Sequence, residues 1–205
     1  MSKAVVLSIR PKWCEKIASG EKTIEVRKTR PKLDTPFKCY ICCTSGRPDL
    51  NIPISPERLM QDYLDTGSMK SLNCQLGNGK VIGEFICERI YEIRKRGIPE
   101  NFDYCYLSLN EWGNDDIETE IRAISASCVS KEKLNAYGAK APLLYGWHIS
   151  DLRIYDAPRE LSEFQRATNP CDSCHAEYTW KCTGCKKLSG DIKRPPQSWC
   201  YVEEG

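Results

Sequence analysis

The stretch Ser8–Arg30, SIRPKWCEKIASGEKTIEVRKTR, decides how the rest of the chain is read. It describes a strand end, a short helix, a glycine stop and a second strand that carries charge where apolar residues would usually stand. Pro11 suits a first helical position, where its missing N–H is no loss. Trp13, Cys14, Ile17 and Ala18 form one apolar face, and Lys12, Glu15, Lys16 and Ser19 are left for water. Gly20 ends the helix, because glycine enters the left-handed region without steric cost. Along the strand over Lys22–Arg27 the side chains alternate. Thr23, Glu25 and Arg27 therefore share one face, while Ile24 and Val26 face a core.

Outward from this stretch, Ala4–Ile9 reads as a buried first strand and Phe37–Thr44 as another. The adjacent thiols Cys42 and Cys43 point to opposite strand faces, so both read as packing groups rather than joint ligands. Ser55 and Pro56 start a helix whose apolar stripe is Leu59, Met60, Tyr63 and Leu64. Gly77-Asn78-Gly79 marks a turn. Lys80–Ile93 reads as one long strand, with Val81, Gly83, Phe85 and Cys87 on one face and Glu84 and Glu88 on the other. Ile117–Ala126 has weak helical spacing, and Ser130 caps a short helix through Tyr137. Leu144–Tyr155 has the composition of a central strand, with Trp147 and Ile149 opposite His148.

Composition bounds the function classes. The 205 residues, 40% hydrophobic and 28% charged, describe a globule rather than a disordered or membrane protein. The apolar run Ala4–Leu7 is too short for a signal peptide or a spanning helix. With thirteen cysteines and no export signal, reduced thiols, metal binding and a cytoplasmic location are expected. Residues 1–32 hold nine Lys/Arg against three Glu, and Ile98–Glu120 holds seven Asp/Glu and no Lys or Arg. Such asymmetry suits a basic face presented to a phosphate-bearing ligand.

Near the C-terminus, Cys171-x2-Cys174 and Cys182-x2-Cys185 form two chelating knuckles. Four thiolates suit tetrahedral Zn²⁺, with an iron–sulfur cluster or redox dithiols as rivals. Four cysteines leave no open ligand position, so the metal is read as structural, a staple for a segment with little apolar content. The expected organisation is one domain over 1–167 plus 191–205, with a zinc-knuckle insertion at 168–190. Lys186, Lys187, Lys193 and Arg194 around the knuckle add candidate phosphate contacts.

Gly20-x-Lys22-x-x-Glu25-x-Arg27 resembles the GxKxxExR motif of the ASCH domain family, in the PUA-like superfamily. Ser8-x-Arg10-Pro11-x-Trp13 is similar to that family's strand-to-helix lead-in. Gly79–Arg89, Tyr145–Tyr155 and Ser198–Val202 are similar to parts of its barrel. The resemblance implies an α+β fold, a PUA-like β-barrel with flanking helices. It also implies recognition of RNA or a modified nucleotide in a basic cleft. Arg10, Lys22 and Arg27 would then contact phosphate or base, and Glu25 would accept from an exocyclic amine or a 2′-OH.

Two other readings stay open. Some ASCH proteins are amidohydrolases on acetylated cytidine, with a lysine, a threonine nucleophile and a glutamate, and ribonuclease activity is also associated with the family. Lys22 matches that lysine, but Glu25 stands where the threonine belongs, which leaves Lys22, Thr23 and Glu25 as candidate catalytic groups. In the last reading the barrel is a scaffold and the zinc knuckle docks a protein partner. No membrane partner is expected.

Overall fold

The computed structural model describes residues 2–67, 74–96, 103–107, 125–167 and 190–204, and backbone only for 95–96, 103–107 and 190–191. The chain divides into two units. One comprises Met1–Glu15, Lys38–Phe85 and Leu152–Gly205, the other Lys16–Phe37 and Ile86–Asp151.

The first unit is built on β1 (Lys3–Ile9), where every residue from Ala4 to Ile9 is buried. An unbroken apolar run of this kind suits a strand in the middle of a sheet, covered on both faces. β1 pairs in parallel with β3 (Phe37–Cys43) and antiparallel with β13 (Trp199–Glu203). A parallel pair needs a crossover, and α1 (Pro11–Ala18) and β2 (Ile24–Arg27) lie in that connection. The full sheet has seven strands in the order β10-β6-β3-β1-β13-β11-β12. Its further members are β6 (Val81–Cys87), β10 (Ser150–Arg159), β11 (Gln165–Arg166) and β12 (Gly190–Asp191). Ala4, Val6, Tyr40, Cys42, Val81, Leu161, Phe164, Ile192 and Val202 form one apolar cluster. Within it the Tyr40 and Phe164 rings meet edge to face at 4.8 Å. Gly83 is required by packing: a Cβ there would stand 2.4 Å from the Arg153 carbonyl oxygen on β10. Outside this sheet, β4 (Asn51–Pro53) pairs with β5 (Cys74–Leu76), and α2 (Pro56–Thr66) is capped by Ser55, whose hydroxyl accepts from the Arg58 N–H. α2 buries none of its residues.

The second unit holds a four-stranded sheet, β2-β9-β7-β8, made with β7 (Ile90–Arg96), β8 (Asp103–Leu107) and β9 (Leu143–His148). α3 (Lys131–Gly138) starts at Ser130, whose hydroxyl accepts from the Lys133 N–H. Ile24, Val26, Ile93, Leu134 and Leu144 form its apolar core.

The expected closed barrel is corrected by this topology. Each of the three described sheets has two free edges, so none closes on itself. Closure requires edge strands to pair along a staggered register, and the edge strand β12 offers two residues. The two segments read as single long strands are each broken. Lys80–Ile93 divides at Glu88-Arg89 into β6 and β7, and Leu144–Tyr155 divides at Ile149 into β9 and β10, with the halves in different sheets. β11 and β12 pair antiparallel, Arg166 opposite Gly190, so the chain leaves and re-enters the sheet at adjacent positions. The cysteines expected to hold zinc, Cys171, Cys174, Cys182 and Cys185, lie between those strands and outside the described residues, as does most of Ile117–Ala126.

Candidate functional site

α1 stops as its sequence predicts. Gly20 has φ 78°, its N–H donates to the Ile17 carbonyl at 2.9 Å, and the Lys22 N–H reaches back to Lys16 O at 2.9 Å. This turn sends the Lys22 side chain inward, where it is 2% exposed. Its Nζ donates to Ile24 O at 2.7 Å and Ser127 O at 2.6 Å, and stands 3.2 Å from Glu25 Oε2. The other carboxylate oxygen, Oε1, is 2.9 Å from Arg27 Nη2. Glu25 thus bridges two cations, and all three residues are buried.

The surrounding backbone holds this triad in register. The Thr23 N–H donates to Ala126 O at 2.9 Å, and Thr23 O accepts from the Ile149 N–H at 2.8 Å. β2 runs antiparallel to β9, with Glu25 opposite Trp147 and Arg27 opposite Tyr145. Opposed residues share a face, so both aromatic side chains lie on the charged side of the sheet. Ile24 and Val26 take the other side, in the core, as strand alternation predicts. Trp147 is fully buried and meets Phe37 edge to face at 5.8 Å.

Burial of three ionised side chains carries a desolvation cost of several kcal/mol per ion, and it is offset here by the shared carboxylate and the two carbonyls. Two cations face one carboxylate, so the group carries one positive charge in excess. The field extends to α3, where burial pushes the Tyr137 hydroxyl up in pKa, Arg27 acts to lower it and Glu25 to raise it.

Arg10 and Thr23 are the remaining predicted ligand and catalytic candidates among the described residues. Arg10 is exposed at the end of β1 and belongs to the first unit. Thr23 is half-buried. His148 meets Tyr91 edge to face at 6.3 Å, and its position on β9 opposite Ile24 puts it on the face away from Glu25. Glu84 accepts from the Tyr155 hydroxyl at 2.6 Å, a pairing within the first sheet. Among the described residues no group of three or more His, Cys, Asp and Glu is placed to hold a metal ion. Cys42 and Cys43 are both buried, as packing thiols should be. Burial pushes Cys42 up to about 12, while a hydrogen bond from Cys14 lowers Cys43.

Among proteins of known structure, the chain is similar to ASCH from Zymomonas mobilis. The TM-score is 0.51 at 15% identity, over 98% of this chain and 88% of that one. The chain folds as an ASCH domain. A serine-to-alanine variant of the Zymomonas mobilis protein gives a TM-score of 0.50 at 14% identity, over 98% and 89% of the two chains. No family sequence profile and no curated protein sequence matches the chain. On this ASCH fold the GxKxxExR residues form the inward-facing ion triad. Among the described residues no helix is long and apolar enough to cross a membrane.

Sequence reasoning missed Trp147 and Tyr145 as neighbours of Glu25 and Arg27, and it missed the Ser127 carbonyl as a Lys22 acceptor. The first two follow from the β2–β9 register, which no local motif announces. The third depends on a contact between positions 105 residues apart.

Proposed function

We propose that this chain recognises RNA or a modified nucleotide at the face of β2 that carries Glu25 and Arg27. The observation behind this reading is the buried triad, two cations around one carboxylate. An excess positive charge shielded from water interacts more strongly with a phosphate than an exposed one does. Arg27 supplies a planar fork for phosphate or a base edge. Glu25 accepts from an exocyclic amine or a 2′-OH. Lys22, with its N–H groups turned to Ile24 O, Ser127 O and Glu25, positions that carboxylate. Arg10, exposed in the first unit, offers a phosphate contact of its own.

Hydrolysis by a Lys22-activated Thr23 is the weaker reading. The Lys22 Nζ is turned to Ile24 O, Ser127 O and Glu25 Oε2, which engages all three N–H groups of an ammonium and leaves no lone pair to take the Thr23 hydroxyl proton.

The test is incubation with single-stranded RNA and a panel of acylated nucleosides, scoring retention and hydrolysis together. Arg27→Ala and Glu25→Gln are each expected to weaken retention about 10- to 100-fold, the range for a charged hydrogen bond. Undiminished retention by both folded variants overturns the site.

The reading includes a structural zinc on Cys171, Cys174, Cys182 and Cys185. Metal analysis of protein purified without chelator tests it: about one zinc per chain is expected, and a metal-free, folded protein overturns it.

A further inference from the structure

The chain leaves β2 at Arg27 into Lys28, Thr29 and Arg30, all exposed. The Lys28 Nζ lies 5.1 Å from the Tyr137 ring centroid, which brings this exit against the C-terminal half of α3. Among the described residues Tyr137 is one of five large hydrophobic side chains left open to water, 41% exposed. Leu134 is buried and sets the rotation of α3. Lys133, exposed, stands four residues before Tyr137 and so shares its face, and Lys140, exposed, follows the helix end. Residues 27–33 contain no Asp or Glu, and residues 131–140 contain Glu132 alone.

Cations around an accessible aromatic ring are what a single strand needs, since phosphates take the charges and an unpaired base takes the ring. A duplex keeps its bases stacked inside and has no use for the ring. We propose that Lys28 beside the Tyr137 ring, Lys133 on the same helix face, and Arg30 and Lys140 next to them along the chain form a track for the backbone and one base of single-stranded RNA, continuing from Arg27. The proposal rests on the reading that Glu25 and Arg27 recognise a nucleotide, and it adds the path of the strand beyond that nucleotide.

The experiment measures affinity against salt for a labelled single-stranded RNA oligonucleotide, a duplex of the same sequence and a nucleoside monophosphate. It uses the full chain and the variants Lys28→Ala/Arg30→Ala, Lys133→Ala/Lys140→Ala, Tyr137→Ala and Tyr137→Phe. Each double variant is expected to flatten the logarithmic salt slope for the single strand by about 1.4, at ~0.7 per phosphate contact. Tyr137→Ala is expected to weaken single-strand binding about tenfold with the slope kept, and Tyr137→Phe to restore it. Monophosphate binding should be the same in all of them.

Unchanged slopes in both double variants, with monophosphate still bound, overturn the track and leave the nucleotide site standing. Tighter binding of the duplex overturns the single-strand assignment. Absence of binding to any of the three ligands by the unmodified chain overturns the track and the nucleotide reading together.

Discussion

β1 and β2 are both shut away from water, and they achieve it with opposite chemistry. Every residue of β1 from Ala4 to Ile9 is buried, and only Ser8 among them is polar. Its burial follows from apolar area removed from water. All four residues of β2 are buried too, yet two of the four, Glu25 and Arg27, carry charge. That second strand is held because the carboxylate lies between Lys22 and Arg27 and the Lys22 ammonium ends on two carbonyls. A hydrophobic strand would be simpler to stabilise. Equal burial with unequal content separates a strand held by apolar area from one held by paired charge.

The sharpest way to break this comparison is to remove the shared carboxylate. Glu25→Ala leaves two buried cations facing each other and is expected to cost about 3–5 kcal/mol in urea denaturation. A cost below about 1 kcal/mol, the range of exposed pairs, would show that the triad is solvated. Lys22→Met is expected to cost about 2–3 kcal/mol, because the Ile24 and Ser127 carbonyls lose their donor. In the first unit, Ile41→Val trims a fully buried methyl group. It should cost about 1 kcal/mol and leave nucleotide affinity untouched.

Cys42→Ala carries a signature that is alkaline. Burial raises the Cys42 thiol from its ordinary 9.0 to about 12 in the folded chain. Its contribution to stability is therefore complete below pH 9 and is lost as pH rises toward 12, where the unfolded thiol ionises and the folded one resists. Thermal melts across that window should fall less steeply in Cys42→Ala than in the unmodified chain.

Local signals were legible wherever one residue type decides the outcome. Pro11 and Gly20 bound α1, Ser55 and Ser130 cap α2 and α3, and the period-two pattern separates Ile24 and Val26 from Glu25 and Arg27. What strand patterning could not carry was where a strand changes sheet. Glu88-Arg89 and Ile149 divide what read as continuous strands, because period-two alternation is indifferent to which sheet a residue joins. The orientation of Lys22 was equally hidden. A lysine beside a turn usually extends into water, and the Ser127 carbonyl, far along the chain, is one of the acceptors that turn this one in.

The most direct test of the central claim is the Arg27 Nε–H resonance followed by NMR in arginine-labelled protein as a nucleoside monophosphate is added. A saturable shift of that resonance, with the Lys22 signal and the overall fold preserved, is the result this account predicts. A bound nucleotide that moves other resonances and leaves Arg27 where it was would contradict it.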